Sequence, residues 1–341
     1  MQDKIKTLEE KRADIVEMLF PLSMPNSVNG VKPLNEKLPQ HQFPELVSLN
    51  EGDKGSPIFW FHSVGGVQPY SIIAKQTSRP FYGIETRGFR TSREPLRGVH
   101  AMAAYYIHII KSIQLNGPYE LGGYSLGGLI AYEVTRQLQE LGDIVKSIVM
   151  LDTLDSSVMH LTSNIPFKSR LLQGVNFILA AKVIQDNERL KKVLIHQDEI
   201  NWANDNDEIL EKLSKLAREK GAHQSIDELK ENIRKNAKIQ VSYEYERYIS
   251  HPLKKPSEVN CYYFRNASGL FFGDLKPFYT TPDEKILVDN INYWSEWQKY
   301  FPNMEIFDVD SSNHMVFFSE DHVSQKICNF CRELYSNDTS R

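Results

Sequence analysis

Three cysteines in 341 residues, Cys261, Cys328 and Cys331, are too few for a disulfide framework. Cys328 and Cys331 form a Cys-x-x-Cys pair, but no second Cys or His pair stands at metal-ligand spacing. The two therefore read as packing residues of a C-terminal helix, and no metal or cofactor site is expected. An excess of charge of one sign is also missing. Lys and Arg number 40 against 44 Asp and Glu, for a net charge of -4, so no basic face offers itself to nucleic acid. No apolar run is long enough to span a bilayer, and the opening Met1-Gln2-Asp3-Lys4-Ile5-Lys6 is not a signal peptide. No membrane partner is expected, and a cytoplasmic location is the simplest account. No internal repeat divides the chain.

Apolar residues make up 41% of the sequence, enough for a sizeable core. Residues 1–45 read as a charged helix, Asp3 to Phe20, and a linker rich in Pro, Asn, Ser and Gln. A compact domain is expected over 46–341. Ser56 to His62 is a continuous apolar run, as in a strand buried on both faces. A second apolar run lies at Pro80 to Glu85, buried strands are expected around Tyr119 and at Ser147 to Leu151, and the sheet pattern resumes at Val259 to Phe264 and at Met304 to Val309. Helical spacing appears at Tyr70 to Ala74, Val99 to Ile113, Leu129 to Leu138 and Ser319 to Leu334. That alternation predicts an α/β fold, a mostly parallel sheet with helices on both faces. It stops from about 156 to 250, where Leu171 to Ala181, Asp207 to Lys220 and Ser225 to Tyr248 are candidate helices. Ser225 and Glu228 make a capping box for the last of these. A helical block inserted between strands reads as a lid over a site, or as a further helical layer without a gating role.

One stretch carries chemistry. Gly122-Gly123-Tyr124-Ser125-Leu126-Gly127-Gly128 lies between a buried strand and an amphipathic helix. Gly-x-Ser-x-Gly in that setting is a nucleophile elbow, whose small flanking residues permit the strained turn that lifts the serine hydroxyl off the sheet. Reactive groups of an open parallel sheet gather at the carboxyl ends of its strands. Asp152 ends the strand after the elbow, and His314 follows the last strand. The order Ser, Asp, His is that of the α/β-hydrolase fold. Ser125 is the expected nucleophile, His314 its general base, and Asp152 the group that orients the imidazole. Asp155 is the competing acid; Asp152 is preferred because it directly ends the apolar run. The N–H groups of Leu126 and, from the loop Ser63-Val64-Gly65, of Val64 are the expected oxyanion donors. His62 reads as a residue that shapes this loop rather than as a base.

Leu46-Val47-Ser48-Leu49, Ser56 to Gly66 and Tyr119 to Gly128 together resemble the thioesterase domains that end polyketide and nonribosomal peptide synthases. The resemblance covers roughly 46 to 335 and is weakest through the lid. It departs at Ser63, where many relatives have proline. It implies an α/β-hydrolase fold with a helical lid, the acid at Asp152 and the base at His314. It implies chain release: an acyl chain arrives on the phosphopantetheine arm of an acyl or peptidyl carrier protein, passes to Ser125, and leaves by hydrolysis or cyclisation. No soluble cofactor is implied. With no carrier domain before it, the chain would be an excised terminal domain or a free-standing enzyme, and monomer and homodimer both stay open. A free-standing esterase or lipase, an editing thioesterase and a non-catalytic binding protein of the same fold are the alternatives. Trp202, Tyr243 and Tyr245 could line an acyl chamber or pack helices. Lys191, Lys192, Lys254 and Lys255 could dock an acidic carrier or form a solvated face.

Overall fold

Strand-forming runs that are apolar at every position need cover on both faces, and that requirement organises the chain. The computed structural model describes residues 43–159, 165–180, 187–284 and 292–336. The expected helix at Asp3 to Phe20 and the linker up to residue 42 lie outside them. The strands are β1 (Leu46–Ser48), β2 (Ile58–Phe61), β3 (Phe81–Ile84), β4 (Tyr119–Tyr124), β5 (Val145–Leu151), β6 (Asn260–Asn266) and β7 (Glu305–Val309). They form one sheet in the order β1-β3-β2-β4-β5-β6-β7. β1 runs antiparallel to β3 at the edge, and every other pairing is parallel.

Helices α1 (Val99–Ile113) and α2 (Leu126–Glu140) pack on each other, and α2 also packs on β2, β4 and β5. Phe61 of β2 stacks on Tyr106 of α1 with ring centroids 5.9 Å apart. The other face is covered by the short helix Ser71–Ala74 and by the C-terminal helix, Asp321–Ser336. Trp60, Phe81, Val149 and Phe264 meet Val323, Ile327 and Tyr335 there, and Trp60 Nε1 donates to the Tyr335 hydroxyl at 3.1 Å. Cys328 and Cys331 belong to this core, and burial pushes both thiols up. They act as small apolar side chains.

Between β5 and β6 the described residues form helices and no strand. The principal ones are α3 (Phe167–Ala180), α4 (Asn206–Glu219) and α5 (Ile226–Ser242), which pack on one another. Each start is fixed by local chemistry where the cap is described. Asp205 accepts from the N–H groups of Asp207 and Glu208, both at 2.9 Å. Ser225 accepts from Glu228 N–H at 3.3 Å, while the Glu228 carboxylate takes the Ser225 N–H at 2.8 Å. The lid encloses its own core, with Leu172, Leu213, Leu229 and Ile233 at its centre. That core also takes in Phe272 and Tyr279, which follow β6, and Val316, two residues after His314.

Leu213 is fully buried in that second core. Truncation of such a side chain costs about 2–5 kcal/mol. Leu213→Ala is expected to speed hydrogen exchange in α3, α4 and α5 while leaving the amides of β4 and β5 as protected as before. Equal loss in lid and sheet would show that the two cores unfold as one.

Candidate active site

The register of the sheet brings the carboxyl ends of four strands, β4 to β7, to one edge. Tyr124 pairs with Leu151, Leu151 with Phe264, and Asn266 with Val309. The chain leaves β4 at Ser125, with φ 56° and ψ -119°. A side chain at either motif glycine would collide with backbone: a Cβ on Gly123 falls onto Gly127, and one on Gly127 onto the Phe61 carbonyl. The elbow is braced from below. The Tyr70 hydroxyl donates to Phe61 O at 2.8 Å and accepts from Tyr124 N–H at 3.0 Å.

Ser125 Oγ lies 2.9 Å from His314 Nε2, and His314 Nδ1 lies 2.8 Å from Asp152 Oδ2. Asp152 is fully buried and leaves β5 with φ 42°. Its Oδ1 accepts from Asn266 N–H at 3.1 Å. Asp155, the competing acid, instead accepts from the Ser157 N–H at 2.8 Å and does not touch the imidazole. His314 is 3% exposed; Phe271 stacks on its ring at 4.2 Å, and Tyr124 donates to its carbonyl. With Asp152 on Nδ1, the neutral ring carries its proton there and leaves Nε2 free to take one from Ser125.

Tyr293 was not visible as a site residue in the sequence. Its hydroxyl donates to Asp152 at 2.8 Å to Oδ1 and 3.0 Å to Oδ2. Burial, and then the charge of Asp152, hold this phenol well above its usual range, so it remains a donor. It sits in Asn292-Tyr293-Trp294, an irregular segment with no periodicity or motif to mark it.

The loop after β2 supplies the other half. Ser63 N–H donates to Gly66 O at 3.3 Å, Gly66 N–H returns to Ser63 O at 3.1 Å, and Gly65 N–H reaches Ser63 Oγ at 3.2 Å. Of the four amides in this turn only that of Val64 has no partner among the described residues. Leu126 opens α2, so its N–H has no partner within the helix. Val64, Leu126, Ser125 and His314 all line one cavity. Serine in place of proline at residue 63 keeps the turn closed through its hydroxyl. His62 touches the turn, not Ser125: Nδ1 donates to Ser63 O at 3.1 Å, and Nε2, 2.9 Å from the Tyr106 hydroxyl, accepts from it.

The cavity holds about 700 Å³ and runs from Ser125 to the lid helices. Tyr243 and Tyr245 line it. Trp202 does not; it packs against the lid core and donates from Nε1 to Gln197 O at 2.8 Å. Of the four lysines, Lys191 pairs with Asp274 and Lys255 with Glu258, while Lys192 and Lys254 are exposed. Among the described residues, no cluster of three or more His, Cys, Asp or Glu could hold a metal ion.

Sheet, elbow, strand-end acid and late histidine define an α/β-hydrolase, with the side-chain set of a serine acyl-transfer centre. Kinship of sequence narrows the class. The family model described as thioesterase domain matches residues 56–335, and the chain belongs to that family. Polyketide synthase PksR of Bacillus subtilis is 45% identical over 296 residues, which are 86% of this chain and 12% of PksR. Atromentin synthetase greA of Suillus grevillei is 35% identical over 127 residues, 36% of this chain and 13% of that protein. The chain thus spans about an eighth of the length of these relatives. Among solved structures, the four-domain nonribosomal peptide synthetase holo-AB3403 superposes with a TM-score of 0.60 at 17% identity, over 85% of this chain and 20% of that one. The Vlm2 thioesterase domain gives 0.52 at 18% identity, over 84% of this chain and 96% of that one.

Two predictions follow from this geometry. Tyr293→Phe removes a hydrogen bond to a buried carboxylate, worth about 1.5–3 kcal/mol. A fall in kcat of roughly tenfold or more with KM little changed is expected in steady-state kinetics. The second concerns His62, which burial holds down at about 4 from 6.5, against a smaller opposing effect of its bond to Ser63 O. The unfolded chain therefore binds a proton that the folded chain refuses between pH 6.5 and about 4. Stability from this group is complete above pH 6.5 and is lost as pH falls toward 4, by about 3 kcal/mol in all. Urea unfolding across that window should show the loss, and His62→Gln should flatten it.

Proposed function

We propose that this thioesterase domain takes an acyl chain from a carrier protein onto Ser125 and releases it. The observation that carries the reading is the continuous relay Asp152–His314–Ser125, with links of 2.8 and 2.9 Å, opening into a largely apolar cavity of about 700 Å³ beneath a helical lid. A largely apolar cavity of that volume has room for an acyl chain as well as for the reacting carbonyl. Kinship with a polyketide synthase supports a polyketide- or peptide-like chain on the phosphopantetheine thiol of an acyl or peptidyl carrier protein.

The chemistry follows from the groups. His314 Nε2 takes the Ser125 proton as Oγ attacks the thioester carbonyl. Negative charge then develops on the carbonyl oxygen, within reach of N–H donors at Val64 and Leu126 and of the positive end of the α2 dipole. Asp152 stabilises the imidazolium and keeps its orientation. The tetrahedral species collapses, the C–S bond breaks, and His314 returns the proton to the departing thiol. In the second half His314 deprotonates water, or a hydroxyl or amine of the chain itself, which attacks the Ser125 ester. The product is a free acid or a ring, and the serine proton is restored. Every step is proton or acyl transfer, so the proposal includes no metal or soluble cofactor.

Intact-protein mass spectrometry with acyl pantetheine thioesters should show a single added acyl group that is absent from Ser125→Ala. Turnover by that variant should fall by about 10⁴-fold or more. A strong preference for simple oxygen esters over the matching thioesters would overturn the thioester assignment, and turnover unchanged in Ser125→Ala would overturn the nucleophile.

A further inference from the structure

The cavity wall is apolar through Ile165, Phe177, Ile178, Ile239 and Phe272, yet one cation is set into it. Arg170, in α3, lines the cavity and is only 8% exposed. Its Nη1 donates to Gln173 Oε1 at 3.1 Å and to Gln240 Oε1 at 3.2 Å. Its guanidinium carbon stands 5.8 Å from the centre of the Tyr245 ring. Gln173 is oriented by its own donation to Tyr279 O at 2.8 Å, which turns its oxygen toward Arg170.

No carboxylate among the described residues lies within ion-pair distance of this guanidinium. Other sheltered arginines of the molecule meet a carboxylate: buried Arg79 meets Glu120, and half-buried Arg136 meets Glu133 at 2.6 Å. A guanidinium keeps its charge in a protein, and one mostly sheltered by an apolar wall without a counter-charge is costly, although its unbonded donors still face the cavity. Two neutral amide oxygens and an aromatic ring offset that cost only in part. The donors at Nε and Nη2 of Arg170 and at Nε2 of Gln240 make no hydrogen bond among the described residues, and both side chains line the cavity. The wall here offers donors and positive charge and lacks the counter-charge.

We propose that Arg170, with Gln240 beside it, is a subsite for an anionic oxygen group, a carboxylate or a phosphate, carried on the molecule that enters the cavity. Two sources share this chemistry: an acid group on the acyl chain, and the phosphodiester of the carrier's arm. The subsite rests on the acyl-transfer reading, since it positions a thioester whose carbonyl reaches Ser125. A planar guanidinium takes two carboxylate oxygens side by side, so the subsite fixes how far the chain extends as well as its charge.

The test uses the protein with pantetheine thioesters of a series of chain lengths, each ending in methyl or in carboxylate, and with phosphopantetheine thioesters of the methyl-ended chains. Rates of Ser125 acylation, read by intact mass, give an anionic-over-neutral ratio for each pair. A ratio of roughly 10 to 100 is expected for one anionic series, the size of a charge-assisted hydrogen-bonded contact. Preference for the chain carboxylate assigns the subsite to the acyl group; preference for the phosphate assigns it to the arm. Arg170→Met should bring the ratio close to one and Arg170→Lys should keep part of it; any general loss from substitution divides out. Loading without an anionic preference in the unmodified protein, or a preference that survives in Arg170→Met, overturns the subsite alone. Failure of every thioester to load would instead overturn acyl transfer to Ser125, and the subsite with it.

Discussion

Everything at the site depends on the buried hydrogen bond between Asp152 and His314, and that bond depends on two residues in an unfavourable backbone conformation. Ser125 and Asp152 both have positive φ, at 56° and 42°, at the ends of adjacent strands. Non-glycine residues held there cost on the order of 1–3 kcal/mol each. The sheet meets that cost through its ladder. Ser125 N–H donates to Leu151 O and Asp152 N–H to Phe264 O, both at 2.8 Å, so each strained residue is tied to the next strand along. Asn266 N–H then closes on the Asp152 carboxylate from that same strand. The strained turns aim both side chains to one side of the strand ends, where the loop after β7 delivers His314.

The imidazole is held from several directions. His314 N–H donates to Leu270 O at 2.9 Å, the Phe271 ring lies flat against it, and Tyr124 fixes its carbonyl. Phe271 contacts Phe272, which belongs to the lid core, as does Val316. The histidine loop is therefore shared between the sheet and the helical layer. A lid that moved as a whole would pull on Phe272 and Val316, and through them on the base itself. Packing of this kind transmits displacement because close-packed interiors deform little.

Much of this was legible in the chain. A continuous apolar run such as Ile58–Phe61, bounded by turn residues, reads as a covered strand, and Ser125 and Asp152 directly follow strands while His314 lies in the loop after the last one. The capping box at Ser225 marked the last lid helix because a cap is a local interaction, written in residues three apart, and the structure adds a second such box at Asp205. Tyr293 and Phe271 were not legible. Tyr293 meets Asp152 across 141 residues of sequence, from a segment without regular structure, and no pattern of residue types encodes such a contact. Trp202 shows the converse limit. A large aromatic in a helical block looks alike whether it faces a cavity or a neighbouring helix, and only the placement of its N–H against Gln197 O distinguishes them.

The division of labour between sheet and lid has a chemical consequence. Ser125, Asp152 and the turn Ser63 to Gly66 follow strand ends and His314 lies in the loop after β7, where the register of the sheet leaves little room for variation. The lid residues Arg170, Phe177, Ile239 and Gln240 sit on helices whose packing tolerates exchange of one side chain for another of similar volume. In the proposed reaction an acyl group held on Ser125 would wait for its second nucleophile, and the walls would bear on which one arrives. Apolar walls that fold the chain back on itself raise the effective concentration of an internal hydroxyl or amine and exclude water. A wall that anchored the far end of the chain by its charge would keep it extended and leave the ester to water. In the proposed reaction the bond broken would thus be the work of the sheet, and the choice of what replaces it the work of the lid.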